Sequence, residues 1–407
     1  MRIAVFADWP HRDGSSLADS LLTCGRALAR RGHAVMLAIA RGDGSDRLDR
    51  ASVPSQVDSR LTILWLPSRP WIAAGRWPVI TAGIAALRCR AWGPDVVHSQ
   101  GPFGAGLGAL AAARLHGVPL ISTRRDAIEG RRCEEPAAGM ASTPVGFRWA
   151  RFYYNRCDLV TSPSEGVIAA LREAGLGLPG RVVSDPLVLD PWPSSDRSLE
   201  GKPRRSPGGF GLIHVGRLTA EQRLDQIIRA IPLLLTRIPG VSLTLVGSGP
   251  VESDLRTLAE RLQVTTHVRF VGELGGPRRL DTYAASDAFV TMSASEVGVP
   301  ATLEAMAAGL PVIGARTAPI SEHVDTSRGM LVEVGDTAAL VASILALRRD
   351  PARAAALGAA GREFAARFAP DLIAAEWETI YGEVLSRSRQ RRAAASRALP
   401  QPSTPPS

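Results

Sequence analysis

Lysine is almost missing from this chain of 407 residues: Lys202 stands alone among 48 lysines and arginines. It lies in a Pro/Gly/Arg-rich stretch. Schiff-base chemistry and a phosphate-binding P-loop both need a lysine inside a folded site, so neither fits. Any work on phosphate falls to arginine, whose planar fork grips an oxyanion with two hydrogen bonds. Cysteine is sparse too. Cys24, Cys89, Cys133 and Cys157 show no Cys-x-x-Cys spacing, which excludes a disulfide scaffold, weighs against a thiolate zinc site and fits a reducing cytoplasm. The seven histidines never cluster at ligand spacing, and no Asp-x-Asp pair occurs, so no metal site is expected. No apolar run approaches the ~18 residues of a membrane span. Met1–Ala7 reads as a buried strand that begins at once, so no secretory leader is expected.

What is present is ordinary for a large globular chain. At 45% hydrophobic and 21% charged residues it can bury sizeable cores without staples, and its length suggests two domains. The net charge of +9 is unevenly spread. Residues 386–407 hold Arg387, Arg389, Arg391, Arg392 and Arg397 and no acid. Residues 1–200 are mildly basic and 201–385 nearly balanced. A mildly basic half suits an anionic membrane surface or phosphate-bearing ligands. Nucleic acid would rest on the tail arginines alone and is not expected.

The pattern alternates. An apolar run at Met1–Ala7, a turn-rich loop, a helical stretch at Leu17–Arg31 closed by Gly32, and a second run at His33–Ala40 give the βαβ signature of a parallel sheet. Further strands are expected at Leu61–Leu66, Val96–His98, Leu120–Thr123, Leu159–Thr161 and Val182–Val183. After the linker-like EGKPRRSPGG a second series begins, with strands at Phe210–Val215, Ser242–Val246, Val268–Val271, Ala288–Met292 and Pro311–Ile313. The expected organisation is an α/β protein of two Rossmann-like parallel-sheet domains facing a central cleft. They span 1–199 and 210–370, with a linker at 200–209, a helix at 371–385 and a disordered basic tail at 386–407. Ligands of such sheets bind beyond the carboxyl ends of the strands.

Three segments carry candidate chemistry. The first is Ser295-Glu-Val-Gly-Val-Pro-Ala-Thr-Leu-Glu304, where a loop with Glu296, Val297, Gly298 and Val299 meets a helix opened by Pro300. Free N–H groups at a helix N-terminus bind anions, and Glu296 and Glu304 can bind hydroxyls. That combination suits a nucleotide sugar; an ordinary strand–helix connection with two solvated glutamates carries equal weight on spacing alone. The second is His214-Val-Gly-Arg217-Leu-Thr-Ala-Glu221-Gln222-Arg223, with Arg217 at a strand's carboxyl end. The third is the glycine turn Gly247-Ser-Gly249-Pro250. In the first half, His98 and Ser99 end a strand before Gly101-Pro-Phe-Gly104, an acceptor-side candidate, although a lone histidine there is more often structural. Arg60–Trp77 interleaves Trp65, Trp71 and Trp77 with arginines, which suits a membrane interface or a core strand with a solvated loop.

These segments, in this order, resemble the glycosyltransferases of family 4, which have the GT-B fold. The features in common are Gly216-Arg217-Leu218 with Glu221, Gly247-Ser-Gly249-Pro250, Glu296 with Glu304, and Ala305-Met-Ala-Ala-Gly-Leu-Pro-Val312. The resemblance covers most of residues 1–385 and implies roles. Glu304 holds the donor's ribose hydroxyls, and Glu296 with the amides of Val297, Gly298 and Val299 holds the sugar. Arg217 neutralises the departing diphosphate. Gly247 and Gly249 approach the donor, and Gly14, in the loose glycine loop Gly14-Ser15-Ser16, faces diphosphate or acceptor. It implies a retaining, metal-independent hexosyltransferase without a cofactor, taking a UDP-sugar or a GDP-sugar such as GDP-mannose. The acceptor is a glycan, a lipid or a soluble small molecule. The resemblance further implies a cytoplasmic enzyme, with peripheral docking at the inner membrane face.

Two departures from the family pattern stand out. Its diphosphate-binding lysine falls on Gln222, with Arg223 next door as a substitute. Its sugar-contacting histidine falls on Arg125, in Thr123-Arg124-Arg125-Asp126. A non-catalytic sugar-nucleotide-binding homologue therefore stays open. The rival reading is a nicotinamide oxidoreductase, from Gly104-Ala-Gly106-Leu-Gly-Ala109 followed by Asp126, although that segment belongs to a later βα unit than the chain's first.

Overall fold

The computed structural model describes residues 1–8, 16–40, 56–66, 87, 89–103, 105–124, 144–187, 209–293 and 299–397. The chain divides into two compact units. One comprises Met1–Pro186 with Pro370–Ser407, the other Leu187–Ala369.

The first unit is built on strands β1 (Arg2–Asp8), β2 (Ala34–Ala40), β3 (Gln56–Asp58), β4 (Leu61–Leu66), β5 (Val96–Ser99), β6 (Leu120–Thr123), β7 (Leu159–Ser162) and β8 (Gly180–Val182). Their order in the sheet is β3-β4-β2-β1-β5-β6-β7-β8, parallel except for β3 against β4. β1 is central, and Ile3 to Ala7 are all buried, as a parallel strand covered on both faces requires. Helix α1 (Ser16–Arg30) follows β1 and stops at Gly32, whose φ of +91° suits a helix-ending glycine. Helices α2 (Ala105–His116), α3 (Pro144–Tyr154) and α4 (Glu165–Glu173) follow the later strands. A Cβ on Gly106 would lie 2.3 Å from the Gly101 carbonyl oxygen. The glycine string of α2 thus lets the helix close on the loop after β5, which is a packing reason for its pattern.

The second unit has strands β9 (Phe210–Val215), β10 (Val241–Val246), β11 (Val268–Phe270), β12 (Ala288–Thr291), β13 (Val312–Ala315) and β14 (Gly329–Val332). All are parallel, in the order β11-β10-β9-β12-β13-β14. Its helices are α5 (Leu224–Leu235), α6 (Glu252–Arg261), α7 (Gly276–Ala284), α8 (Val299–Ala307), α9 (Ala318–Ser321), α10 (Thr337–Arg349) and α11 (Pro351–Ala365). The sequence did not announce β14 or α11. Gly329-Met-Leu-Val is too short for a periodicity, and α11 is so rich in Ala and Gly that no apolar face stands out.

The last helix, α12 (Pro370–Arg397), differs from expectation in two ways. It belongs to the first unit, because Ile373, Ala374, Trp377, Ile380, Tyr381 and Val384 pack into the core formed by Ile3, Val5, Val35 and Leu37. It also continues past residue 385 through most of the tail expected to be disordered. Alanine and arginine are strong helix formers, and the tail has partners: Arg391 pairs with Asp158 at 3.3 Å, and Arg392 lies against Gly117. Only 398–407 fall outside the described residues. The first unit likewise ends before residue 199. Leu187 is buried in the second unit's core, and its amide donates to the Phe368 carbonyl at 2.8 Å. The expected linker lies outside the described residues except for Gly209.

Candidate active site

Strand order places the site. In the second sheet the chain steps outward from β9 through β10 to β11, then returns to the other side of β9 with β12. Such a reversal, beyond the carboxyl ends of β9 and β12, is the place where open α/β sheets bind ligands. In this sequence the loops after those two strands carry Arg217 and the Glu296–Glu304 segment. In the first sheet the same reversal falls between β1 and β5, after which Gly14 and Gly101 follow.

The loops after β9 and β10 interlock through their backbones. The Gly216 amide donates to the Val246 carbonyl at 3.0 Å, Leu218 to Ser248 at 2.9 Å, and Val251 to Leu218 at 3.2 Å. Gly247 has a φ of +130°, and a Cβ there would lie 2.0 Å from the Gly216 oxygen; on Gly249 one would lie 2.3 Å from the Leu218 oxygen. Both glycines are thus required by close approach, and Arg217 is held on top of this crossing with an exposed side chain. The Gly247 amide donates to Gly272 at 2.8 Å, and the Ser248 hydroxyl donates to Glu273.

His214 lies in β9, three residues before Arg217. Its ring is fully buried. Nδ1–H donates to the Val290 carbonyl at 3.0 Å, while Nε2 has no partner among the described residues. Burial pushes its pKa down to about 4, against the partial support of the Val290 bond. The unfolded chain takes up a proton near pH 6.5 and the folded one does not until about 4. The contribution is therefore intact above pH 6.5 and is lost as pH falls towards 4, to the extent of about 3 kcal/mol. His33 and His323 are shifted the same way by burial. Thermal unfolding should show the melting temperature falling between pH 7 and 4.5, with His214→Gln flattening part of that slope. A wild-type melting temperature that is level across that range would contradict this.

The expected substitute for the family lysine is dispersed. Gln222 is 1% exposed, and neither polar atom of its amide has a partner among the described residues. Arg223 takes a left-handed φ of +50° between a short 3-10 turn and α5. It lines a groove between α5 and α6 together with Asp225, Arg229, Asp254 and Arg261.

Glu304 is the best defined of the expected residues. α8 is buried on every side from Ala301 to Ala307, and Glu304 is 8% exposed. A carboxylate in such a place must be paired. Oε2 accepts a hydrogen bond from the Tyr283 hydroxyl at 3.0 Å, and Oε1 lies 3.1 Å from Arg279 Nη2. The sequence reading missed both partners. They stand four residues apart on one face of α7, a spacing that signals a shared face, but nothing in the sequence aims that face at Glu304. Val299 opens α8, half-buried. Glu296, Val297 and Gly298 lie outside the described residues. Just before them, the Ser293 carbonyl accepts from Thr317 Oγ1 at 3.0 Å, fixing where that stretch departs.

In the first unit the candidates part company. His98 is 3% exposed. Its Nδ1 meets Tyr381 Oη at 2.9 Å, its Nε2 meets Thr123 Oγ1 at 2.7 Å, and its ring lies 4.6 Å from that of Trp377. It ties β5 to α12, the structural role, and both nitrogens are engaged in the interior. Arg124 is half-buried at the end of β6; its amide donates to the Thr161 carbonyl at 2.8 Å. Gly14, Trp71, Arg125 and Asp126 lie outside the described residues. Trp65 is paired in β4 opposite Ile39 and packs on the core. Among the described residues no helix is long and apolar enough to cross a membrane, and no group of three His, Cys, Asp or Glu is placed to hold a metal ion.

Comparison with known proteins adds to this geometry. Residues 198–364 match the family described as Glycosyl transferases group 1, and residues 18–184 match Glycosyltransferase Family 4. The chain is 30% identical to the GDP-mannose-dependent alpha-(1-6)-phosphatidylinositol monomannoside mannosyltransferase of Mycolicibacterium smegmatis, over 63% of this chain and 69% of that one. It is 29% identical to glycogen synthase of Mycobacterium tuberculosis, over 76% and 73%. The crystal structure of Anabaena HepE in complex with UDP superposes with a TM-score of 0.71 at 18% identity, over 94% of this chain and 100% of that one.

Proposed function

The chain belongs to glycosyltransferase family 4, among the group 1 glycosyl transferases, and on that premise we propose that it transfers a hexosyl group, with retention, from a nucleoside diphosphate sugar to a hydroxyl. The observation that carries this reading is that, at the sheet's reversal, neighbouring strands β9 and β12 are followed by Arg217 on interlocked glycine loops and by the helix that bears the buried Glu304, held by Tyr283 and Arg279.

The chemistry follows from the groups. A nucleoside diphosphate is already a good leaving group, so the main task is to stabilise charge as the sugar–oxygen bond breaks. Arg217 can do that without a metal, by a bidentate hold on phosphate oxygens. Loop amides and the start of α8 at Val299 offer further donors to anionic oxygens. Glu304 accepts from the ribose hydroxyls, and Glu296 with Val297 and Gly298 orients the sugar. Both UDP and GDP donors fit this scheme. The acceptor is a glycan or a lipid-borne hydroxyl, met by the more basic first unit in the cytoplasm, at the inner face of a membrane where the acceptor is a lipid.

Gln222 favours a second reading. A neutral, buried amide at the position of the family's lysine suits a homologue that binds the sugar nucleotide and turns it over slowly or not at all. Release of nucleoside diphosphate from donor separates the two. For the donor site itself, Glu304→Ala should weaken UDP or GDP binding about 10–100-fold by calorimetry, the loss of hydrogen bonds to a charged acceptor. Unchanged affinity would remove Glu304 from the site.

A further inference from the structure

The groove between α5 and α6 has no part in the donor scheme above. It encloses about 450 Å³, within the range of clefts that hold small molecules. Both helices connect strands on β10's side of β9, and neither follows β12. Among its lining residues Leu224 and Leu255 are buried and apolar. Asp225 and Arg229 form an ion pair at 3.5 Å. Arg223, Arg261 and Asp254 also line the groove, and none of the three has an ion pair among the described residues. Arg261 stands in the last turn of α6 and Asp254 in its first, where each suits the helix dipole. Arg223 has no such reason. It precedes the first turn of α5, where the dipole disfavours a cation, and its φ of +50° is costly for a residue with a side chain.

Two unpaired guanidiniums in one groove call for an anion. No aromatic residue lines it, so a nucleobase has nothing to stack on. The groups present suit a phosphorylated pyranose. Arg223 and Arg261 take the phosphate through charged, forked hydrogen bonds. Asp254 and the Thr219 hydroxyl take ring hydroxyls, and the leucine side chains meet the C–H face of the ring. We propose that this groove is a regulatory site for a hexose monophosphate, separate from the donor site. Thr219 and Ala220 on its wall continue the loop that carries Arg217, and the amide of Val251, also on the wall, donates to the Leu218 carbonyl at 3.2 Å. A ligand seated there bears on the loop that presents Arg217. The two sites are therefore coupled, each ligand changing the other's affinity by the same factor.

The test is calorimetric titration of the full chain with glucose 1-phosphate, glucose 6-phosphate and inorganic phosphate, for wild type, Arg223→Gln, Arg261→Gln and Arg217→Ala. At least one sugar phosphate should bind about 10-fold more tightly than inorganic phosphate. Arg223→Gln and Arg261→Gln should each weaken it about 10–100-fold, with melting temperatures unchanged, and Arg217→Ala should leave it nearly as it was. If Arg223→Gln does not fold, the exposed Arg261 decides alone. The same sugar phosphate should shift the affinity for UDP or GDP several-fold in wild type and not in Arg261→Gln. Failure of both nucleotides to bind counts against the donor reading, and the sugar-phosphate titration then decides the groove by itself. Binding of neither sugar phosphate, or binding no tighter than inorganic phosphate, overturns the proposal. So does binding that survives Arg261→Gln and is lost in Arg217→Ala, which places the phosphate in the donor site. A sugar phosphate that binds without moving nucleotide affinity overturns the regulatory role.

Discussion

Arg217→Ala should lower kcat by about 10²–10³-fold, the cost of removing one preorganised group that stabilises developing charge. The side chain is exposed, so the substitution should leave folding intact and the melting temperature within a degree or two. The backbone that carries it is rigid: Gly216 and Leu218 on either side are hydrogen-bonded to the loop after β10, and Thr219 donates to the Arg217 carbonyl at 3.0 Å. A positive charge carried on so fixed a backbone is expected to be worth more in the transition state than in the ground state, because negative charge on the diphosphate grows as the bond breaks. The loss should therefore appear in kcat more than in donor KM. Arg217→Lys should recover only part of it, since the ammonium keeps the charge but not the fork. Steady-state release of nucleoside diphosphate measures both parameters. A kcat within twofold of wild type would take Arg217 out of the site.

Gly247→Ala should be the most damaging small substitution in the second unit. The new methyl carbon would lie 2.0 Å from the Gly216 carbonyl oxygen and 3.0 Å from its carbon. Both are backbone atoms that cannot rotate away, and the φ of +130° is unfavourable to any side chain. Overpacking and backbone strain together should cost about 3–5 kcal/mol, or about 10 °C of melting temperature for a domain this size. If the unit relaxes instead, the crossing opens, Arg217 is displaced, and donor affinity falls. Either result reads the interlocked loops as the frame of the site. A melting temperature and a donor KM both unchanged would show that the frame is not needed.

The fold was largely legible because parallel strands buried on both faces are written as short continuous apolar runs. Phe210–Val215 and Leu61–Leu66 match the observed strands end to end. Boundaries slipped where a glycine or a polar residue finishes a strand, as at Val96–Ser99. The C-terminal arginines read as a disordered tail because the segment is poor in apolar residues, yet alanine and arginine favour helix, and Arg391 and Arg392 find partners on the first unit that no local pattern shows. Among the candidate site residues, Arg217, Gly247, Gly249 and Glu304 could be picked out from the sequence because each follows a recognisable strand end. Tyr283 and Arg279 could not. Their role is set by how α7 packs against α8, a tertiary fact with a sequence separation of 21 residues between Tyr283 and Glu304. His98 shows the converse: a strand-end histidine looks available in sequence, and α12 covers it with Trp377 and Tyr381 from nearly 300 residues away.

The most direct test of the donor site is a crystal structure of the chain with UDP or GDP bound. The nucleotide should lie beyond the carboxyl ends of β9 and β12, with ribose hydroxyls within hydrogen-bonding distance of Glu304 and the diphosphate over Gly216–Arg217. A nucleotide seated instead on the first sheet, against the glycines that open α2, would contradict the account.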